Sequence, residues 1–384
     1  TFMAGRTFNA SAAGNTVTYQ FSSATIPTVS GNAYHHLVIN GTGLTQNASL
    51  DLNGNLTINA SRSLNMNGFN MNIGGHFTRT GTLTISAGNT ITFDGTAQQN
   101  VNASAATVAF QNVITDNSSA TGVVIQSGTY TVATSLTVNQ GVFNVGANAL
   151  TMLSDVASTA YIGNSAGTIT GIMTINRFIS GRAAGYSDMA SPLTTTTFTD
   201  WDNELLLIYN YVPNEQFPSC WSYSETLWAY VAVTSAATTT IDQGVGYDVY
   251  LDSDGAQTTF TATTVNSVGT PTMGPLNISG NLTRDNDGWN FVGNPYASFL
   301  DFNAFQTSSA GTISGTWMYY DEGIADFVST SGGTIAPHQG FWIEVLSVPA
   351  TATFTESMKD ASNSSSFRNA AHEYFGLRLK SENV

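Results

Sequence analysis

The chain has 384 residues and a net charge of −15, and only 9% of its residues are charged. That acidity argues against nucleic acid or an anionic membrane surface as a partner, since both are gripped by basic patches. The shortage of Lys and Glu disfavours solvated helices, while 36 Gly and abundant Thr, Ser, Asn and Val point to strands and turns. The single cysteine, Cys220, excludes an internal disulfide and a cysteine metal cluster. The densest apolar run, Leu205-Leu206-Leu207-Ile208, falls far short of the roughly 18 residues of a membrane helix, so no membrane insertion is expected.

In chain order, Thr1-Phe2-Met3-Ala4-Gly5 shows no basic-then-apolar signal pattern. Short alternating segments follow: Leu37-Val38-Ile39-Asn40, Leu56-Thr57-Ile58-Asn59, Leu136-Thr137-Val138-Asn139 and Met173-Thr174-Ile175-Asn176, with weaker copies at Phe77-Thr78-Arg79 and Val113-Ile114-Thr115. They start 19, 21, 36, 23 and 37 residues apart, one or two steps of 18–23. Alternation at period two makes strands with one buried face. A fixed step of about 20 residues with several strands per step is the signature of a parallel β-solenoid, whose coils bury their faces only by stacking. Asn40, Asn59, Asn139 and Asn176 are expected to form a ladder at one coil corner. The alternative for this half is a sandwich of hairpins.

Charge marks a boundary. Residues 1–180 hold four acids and four Arg, whereas residues 181–384 hold 21 acids and six basic residues, and all six Trp lie at or after Trp201. The acidic half repeats itself. Segment 185–251 contains Gly185-Tyr186 leading to Ser191-Pro192, then Leu227-Trp228-Ala229-Tyr230, then Gln243-Gly244; segment 288–345 contains Gly288-Trp289 leading to Asn294-Pro295, then Thr316-Trp317-Met318-Tyr319, then Gln339-Gly340. The offsets are 103, 89 and 96 residues. Each unit reads as an aromatic strand stopped by Pro, a Trp-x-Tyr strand, and a Gln-Gly turn into a last aromatic strand. Two such units would pack as a β-sandwich. Helix is scarce, with one short turn expected near Leu300–Phe305.

The stretch GWNFVGNPYASFLDF from Gly288, then Trp317-Met318-Tyr319-Tyr320-Asp321, then Ile335-Ala336-Pro337-His338-Gln339-Gly340-Phe341-Trp342-Ile343, resembles the C-terminal module of large secreted surface proteins of Bacteroidota. So does Ile175-Asn176-Arg177-Phe178-Ile179 leading to Ser191-Pro192, and coils like Ser135–Gly146 commonly precede that module. The resemblance covers about residues 110–380. It implies export by the type IX secretion system, with secretion components as partners during export, an extracellular or outer-surface location, and an adhesin-like role. It brings no catalytic motif. The family usually ends in a sorting domain. This chain stops before one, and Phe375–Lys380 reads as a strand just begun, so a processed or truncated piece is expected.

Candidate chemistry is sparse. Asp252-Ser253-Asp254-Gly255 and Asp285-Asn286-Asp287-Gly288 carry alternating oxygens around a Gly turn, which suits calcium; they are equally plain hairpin turns. Neither ends in the Glu that an EF-hand requires. Asp200, Asp202 and Glu204 around Trp201 would share one strand face, a solvated one or a carboxylate pair for glycoside hydrolysis. In the solenoid, Asp51, Asp94 and Asp116 would align only by accident of stacking. Trp201, Tyr209, Tyr211, Trp221, Tyr223, Trp228 and Tyr230 are either sandwich core or a sugar-stacking surface. Trp221 and Tyr223, in an irregular segment 213–223, are the first choice for stacking, together with Trp228. His35 and His36 point to opposite strand faces, while His76, His338 and His372 stand alone and suit turn or surface positions. Cys220 reads as an inert thiol.

The expected fold is therefore all-β: a β-solenoid stalk over 1–176, an acidic β-sandwich or jelly-roll-like module with an internal two-fold repeat over 177–366, and the start of a strand or linker over 367–384. The expected function is a non-catalytic surface spacer or adhesin, binding surface glycans or other surface proteins, with no cofactor except a calcium ion at the Asp-rich turns. The alternatives are a carbohydrate-binding module and a solenoid polysaccharide lyase or hydrolase.

Overall fold

The computed structural model describes residues 9–27, 33–104, 106–208, 218–234, 239–253, 255–321 and 326–361. The fold is all-β, a parallel β-solenoid of about seven turns followed by antiparallel sheets. The alternating segments form the rungs. Leu37, Val38 and Ile39 pair in parallel with Leu56, Thr57 and Ile58, which pair in turn with Phe77, Thr78 and Arg79. This face continues through Gln99–Ala103, Val123–Ser127 and Val142–Asn144 to Thr168–Thr170. A second parallel face runs from Ala33–Tyr34 to Met173–Ile179, and a short third face closes only early coils at Leu44–Thr45, Ser63–Asn65 and Thr82–Thr84. Hairpins would have put antiparallel neighbours side by side, so the sandwich alternative falls.

Paired residues on the first face lie 19, 21, 24, 24, 20 and 26 residues apart. The step is wider than the expected 18–23 because the corners vary in length while the rungs keep register. Within each rung alternate side chains point inward: Leu37, Ile39, Leu56, Ile58 and Phe77 are fully enclosed. Each such side chain contributes about 1.5–3 kcal/mol by burial, available only because the next coil covers it.

The asparagine ladder is corrected. Asn59 Nδ2 donates to Asn40 Oδ1 at 3.4 Å, but Asn139 and Asn176 belong to strands of the other face. A mixed column ties the early coils instead. His36 Nδ1 accepts the Asn55 N–H (2.9 Å), Asn55 Oδ1 accepts the His76 N–H (2.8 Å), and His76 Nδ1 accepts the Asn100 N–H (3.0 Å). Burial, with help from His35, lowers the pKa of His36 and favours the neutral ring this acceptor role needs.

The sheet does not stop at residue 176. Met173–Ile179 pairs antiparallel with Thr263–Pro271 over seven residues, and Leu193 and Thr194 pair with the far end of that strand. The second solenoid face thus runs directly into the acidic half.

That half contains two units of identical strand order. In the first, Gly185–Met189 pairs with Tyr247–Leu251, which pairs with Cys220–Ser224, which pairs with Ala229–Ala232. In the second, Trp289–Gly293 pairs with Gly340–Val345, then Ile313–Asp321, then Asp326–Ser331. Each first strand stops just before its Ser-Pro or Asn-Pro, and each is followed by a short helix, α1 (Phe198–Asp202) or α2 (Phe302–Ser308). Each sheet packs one face on a core of its own. Met189, Val249 and Leu251 lie with Phe198 and Trp201 of α1; Val292, Phe341 and Ile343 lie with Phe302 and Phe305 of α2.

Two expectations change here. Asp200, Asp202 and Glu204 do not share a strand face. Asp200 Oδ2 accepts the Thr197 N–H (2.7 Å) at the start of α1, Asp202 Oδ1 accepts the Leu207 N–H (3.1 Å), and Glu204 Oε1 accepts from Asn266 Nδ2 (2.7 Å). Thr197 followed three residues later by Asp200 is a helix-start signal that outweighs the period-two reading. The Trp-x-Tyr marker also shifts. Trp317 lies in the second strand of its unit, but Trp228 lies in the turn after the second strand of the first, at φ 51°. By register Cys220 is the counterpart of Trp317, since it pairs with Val249 as Trp317 pairs with Ile343.

Candidate functional site

The free faces of the two sheets meet each other. Val245 and Val292 form an antiparallel bridge where they cross. A Cβ on Gly246 would stand 2.6 Å from the Phe291 ring, and one on Gly293 would stand 2.5 Å from the Ala190 Cβ, so only glycine permits this approach.

Across the crossing the units are related by an approximate two-fold. Asp188 stands four residues before Pro192, and Phe291 four before Pro295. Asp188 lies directly opposite Asp248 on the last strand of its unit; Phe291 lies directly opposite Trp342. The hairpins match as well, with Tyr223 opposite Tyr230 in the first unit and Tyr320 opposite Phe327 in the second.

Each hairpin covers the other unit's pair. Trp342 stacks on Phe291 (centroids 4.6 Å, planes 7° apart) and meets Tyr223 at 4.8 Å and Tyr230 at 6.1 Å. This half is filled with rings. In the other half the Tyr320 N–H donates to Asp188 Oδ2 at 2.9 Å. Tyr186, Tyr230, Tyr320 and Phe327 there line an open cavity of about 170 Å³ with Asp188 and Asp248 in its wall. An adjoining cavity of about 290 Å³ shares Tyr186, Tyr230 and Asp248 and adds Trp221. No basic residue stands among the described residues lining either cavity. Burial above all, then Asp248 and Asp188, raises the pKa of Tyr230; burial and then Asp248 raise that of Tyr186. Both hydroxyls therefore stay protonated and can donate hydrogen bonds.

Of the residues expected to stack on sugars, Trp221 borders this cleft, with Nε1 donating to the Pro218 carbonyl at 2.8 Å. It sits in the regular strand Cys220–Ser224 and not in an irregular segment. Tyr223 joins the ring cluster, and Trp228, 68% exposed, stands at the hairpin tip beside exposed Leu227. Trp201 is core, fully enclosed. Tyr209 and Tyr211 lie outside the described residues. The reading of the sequence missed Asp188, Asp248, Tyr186, Tyr320, Phe327 and Trp342. The signal was present: aligning the units on their prolines puts Asp188 against Phe291.

The Asp-rich turns are separate features. Asp252 is buried, accepts the Gln257 N–H at 3.3 Å, and lines a further cavity of about 290 Å³ with Leu206, Ile208 and Tyr250; Asp254 lies outside the described residues. The second turn wraps a carboxylate. Glu225 Oε2 accepts the Thr283 hydroxyl (2.8 Å) and the Asp285 N–H (2.8 Å), and Oε1 accepts the N–H groups of Asn286 (2.6 Å) and Gly288 (3.1 Å). Burial pushes the Glu225 pKa up, but these hydrogen bonds outweigh it and hold the pKa below its usual value. Asp285 Oδ2 accepts the Thr226 hydroxyl (2.8 Å) and Asp287 Oδ1 accepts the Trp289 N–H (3.1 Å). The loop thus clamps the first unit's hairpin to the second unit. No cluster of three or more His, Cys, Asp or Glu able to hold a metal occurs among the described residues.

His338 takes the turn position expected of it but not a surface one. It is in a turn, at φ 63°, but fully buried, with Nε2 2.9 Å from Ser267 Oγ, which also accepts from Trp201 Nε1 at 3.0 Å. Burial, then the nearby Arg177, lowers its pKa to about 3. The group ties the last coil, the docking strand and both units together. Cys220 is buried and its pKa is raised by burial, which suppresses thiolate chemistry. In the rod, Asp94 is raised by burial and then by Asp51 and Asp116, so stacking does bring these three within electrostatic range. His372 lies outside the described residues.

A family profile matches residues 95–331, a stretch that begins in the solenoid and ends in the second unit's hairpin. The chain belongs to the DUF8693 family, a domain of unknown function. The DUF8693 match crosses residue 176 without a break, as the shared sheet does. No curated protein and no solved structure matches the chain.

Proposed function

We propose that this chain is a non-catalytic, adhesin-like display module of the cell exterior. The solenoid acts as a spacer and presents the cleft between the two units as a binding surface for glycans or other surface proteins. The observation that carries this reading is the seven-residue strand pairing of Met173–Ile179 with Thr263–Pro271. It makes rod and head one hydrogen-bonded body, so a load on the cleft passes into the rod. The aromatic walls support a carbohydrate-binding version of the same reading, because exposed rings stack on sugar faces. Export by type IX secretion is part of the proposal and rests on the resemblance over residues 110–380 alone. Calcium at the Asp-rich turns is retained as a condition to vary.

The test is a panel of immobilised polysaccharides and cell-surface proteins, with and without calcium, read for both retention and bond cleavage. Retention without new reducing ends is expected. Release of new reducing ends, abolished by Asp→Asn changes at Asp51, Asp94 or Asp116, would establish an enzyme in place of a binder.

A further inference from the structure

One position of the rod is filled in two ways that are equivalent for folding and different for acid. His36, Asn55, His76 and Asn100 stand at the same place of successive coils, each just before a paired residue of the first face, Leu37, Leu56, Phe77 or Val101. The first three accept a backbone N–H of the next coil. His36 Nδ1 takes that of Asn55 (2.9 Å), Asn55 Oδ1 that of His76 (2.8 Å), and His76 Nδ1 that of Asn100 (3.0 Å). The seats match as well. A Cβ on Gly54 would stand 2.6 Å from His36 Nδ1, and one on Gly75 would stand 2.4 Å from Asn55 Oδ1, so each of these acceptors lies tight against a glycine of the following coil. Asn55 thus shows that asparagine suffices to tie one coil to the next here.

Histidine adds a proton equilibrium close to neutral pH. An imidazole accepts at Nδ1 only while it is neutral with its proton on Nε2. Once protonated, both nitrogens donate, and Nδ1–H would face the Asn55 or Asn100 N–H, donor against donor. The Asn55 amide oxygen undergoes no such change. The ionisable neighbours are few. Residues 7–50 contain no Asp, Glu, Lys or Arg. The His35 ring lies 4.3 Å from that of His36. The strands of the column, Thr16–Tyr19, His36–Ile39, Leu56–Ile58, Phe77–Arg79 and Gln99–Ala103, add only Tyr19 and Arg79. Tyr19 is hydrogen-bonded to Tyr34 of the second face, and Arg79 is buried and donates to the Gly81 carbonyl. Asp51, Asp94 and Asp116 stand where strands of the second face lead into this corner. Burial, then His35, lowers the pKa of His36 from the ordinary 6.5, so the unfolded chain takes up this proton first. The contact is complete above pH 6.5 and fades below it. We propose that His36 and His76 form an acid-sensitive lock on the early coils of the rod, closed while both imidazoles are neutral and released when they are protonated. The later coils hold Val124 and Asn144 in the same column and have no such response. The device belongs to the rod and stands whether or not the cleft binds a glycan.

The experiment follows hydrogen exchange of the full chain at pH 7.5 and pH 5.0, read segment by segment by mass spectrometry and corrected for the intrinsic pH dependence of exchange. On acidification, protection around Asn55 and Asn100 should fall about tenfold more than around Asn144. The double variant His36→Asn/His76→Asn should keep the protection seen at pH 7.5 and lose the acid response. His338→Asn, a change at the joint with the acidic half, should leave the response in place. Nitrogen NMR of the five histidines gives a reading that needs no variant: at pH 7.5 His36 and His76 should carry their proton on Nε2. Equal protection around Asn55 and Asn100 at both pH values, an unchanged response in the double variant, a response lost in His338→Asn, or a proton on Nδ1 of His36 and His76 at pH 7.5 would each overturn the proposal.

Discussion

The two units of the acidic half share strand order, proline stops, a helix behind each sheet and a hairpin that reaches across to the other. They differ at the position each hairpin covers, where the second unit has Phe291 and Trp342 and the first has Asp188 and Asp248. One half of the crossing is packed and the other is open. A repeated fold can thus pack one copy of a position with rings and leave a cavity at the other.

The largest effect should come from breaking the packed half. Trp342→Ala removes the stack on Phe291 and the contacts to Tyr223, Tyr230 and Phe327. It should cost on the order of 3–5 kcal/mol in denaturant unfolding. A loss under about 1 kcal/mol would show that the rings do not hold the units together.

The clamp comes next. Glu225→Gln cannot satisfy all the donors converging on that carboxylate, and a loss of about 1.5–3 kcal/mol is expected. Because the Glu225 pKa is lowered in the fold, its contribution is present above the ordinary carboxylate pKa and fades as pH falls through the folded value. The Gln variant should therefore lose part of the wild type's acid sensitivity in pH-dependent unfolding.

His338 gives a separate acid step. Its folded pKa of about 3 lies below the unfolded value of 6.5, so the unfolded chain takes up the proton first. Stability is complete above pH 6.5 and falls below it, by roughly 2 kcal/mol at pH 5. His338→Asn, which tolerates the left-handed backbone at that position, should abolish this step while leaving the Glu225 contribution. An unchanged pH profile would contradict the assignment.

Much of this fold was legible in the residues. The period-two tripeptides and their spacing specify the rungs, because a buried face repeated every twenty or so residues has few other ways to be covered. The prolines and Gln-Gly turns locate the units. The cleft was less legible for a physical reason: it depends on which residue stands opposite which across two strands far apart in the chain. Trp228 carries the more conspicuous motif, yet register assigns the Trp317 position to Cys220. Asp188 and Asp248 are 60 residues apart and look unremarkable until paired. The second Asp-rich turn has a use its residues do not announce: a Gly-containing loop can present side-chain oxygens or backbone N–H groups, and here N–H groups point inward at Glu225.

The most direct test is a crystal structure of the full chain. The account predicts Met173–Ile179 paired antiparallel with Thr263–Pro271, and the Phe291–Trp342 stack covered by Tyr223 and Tyr230. A structure in which rod and acidic half share no strand pairing would contradict it.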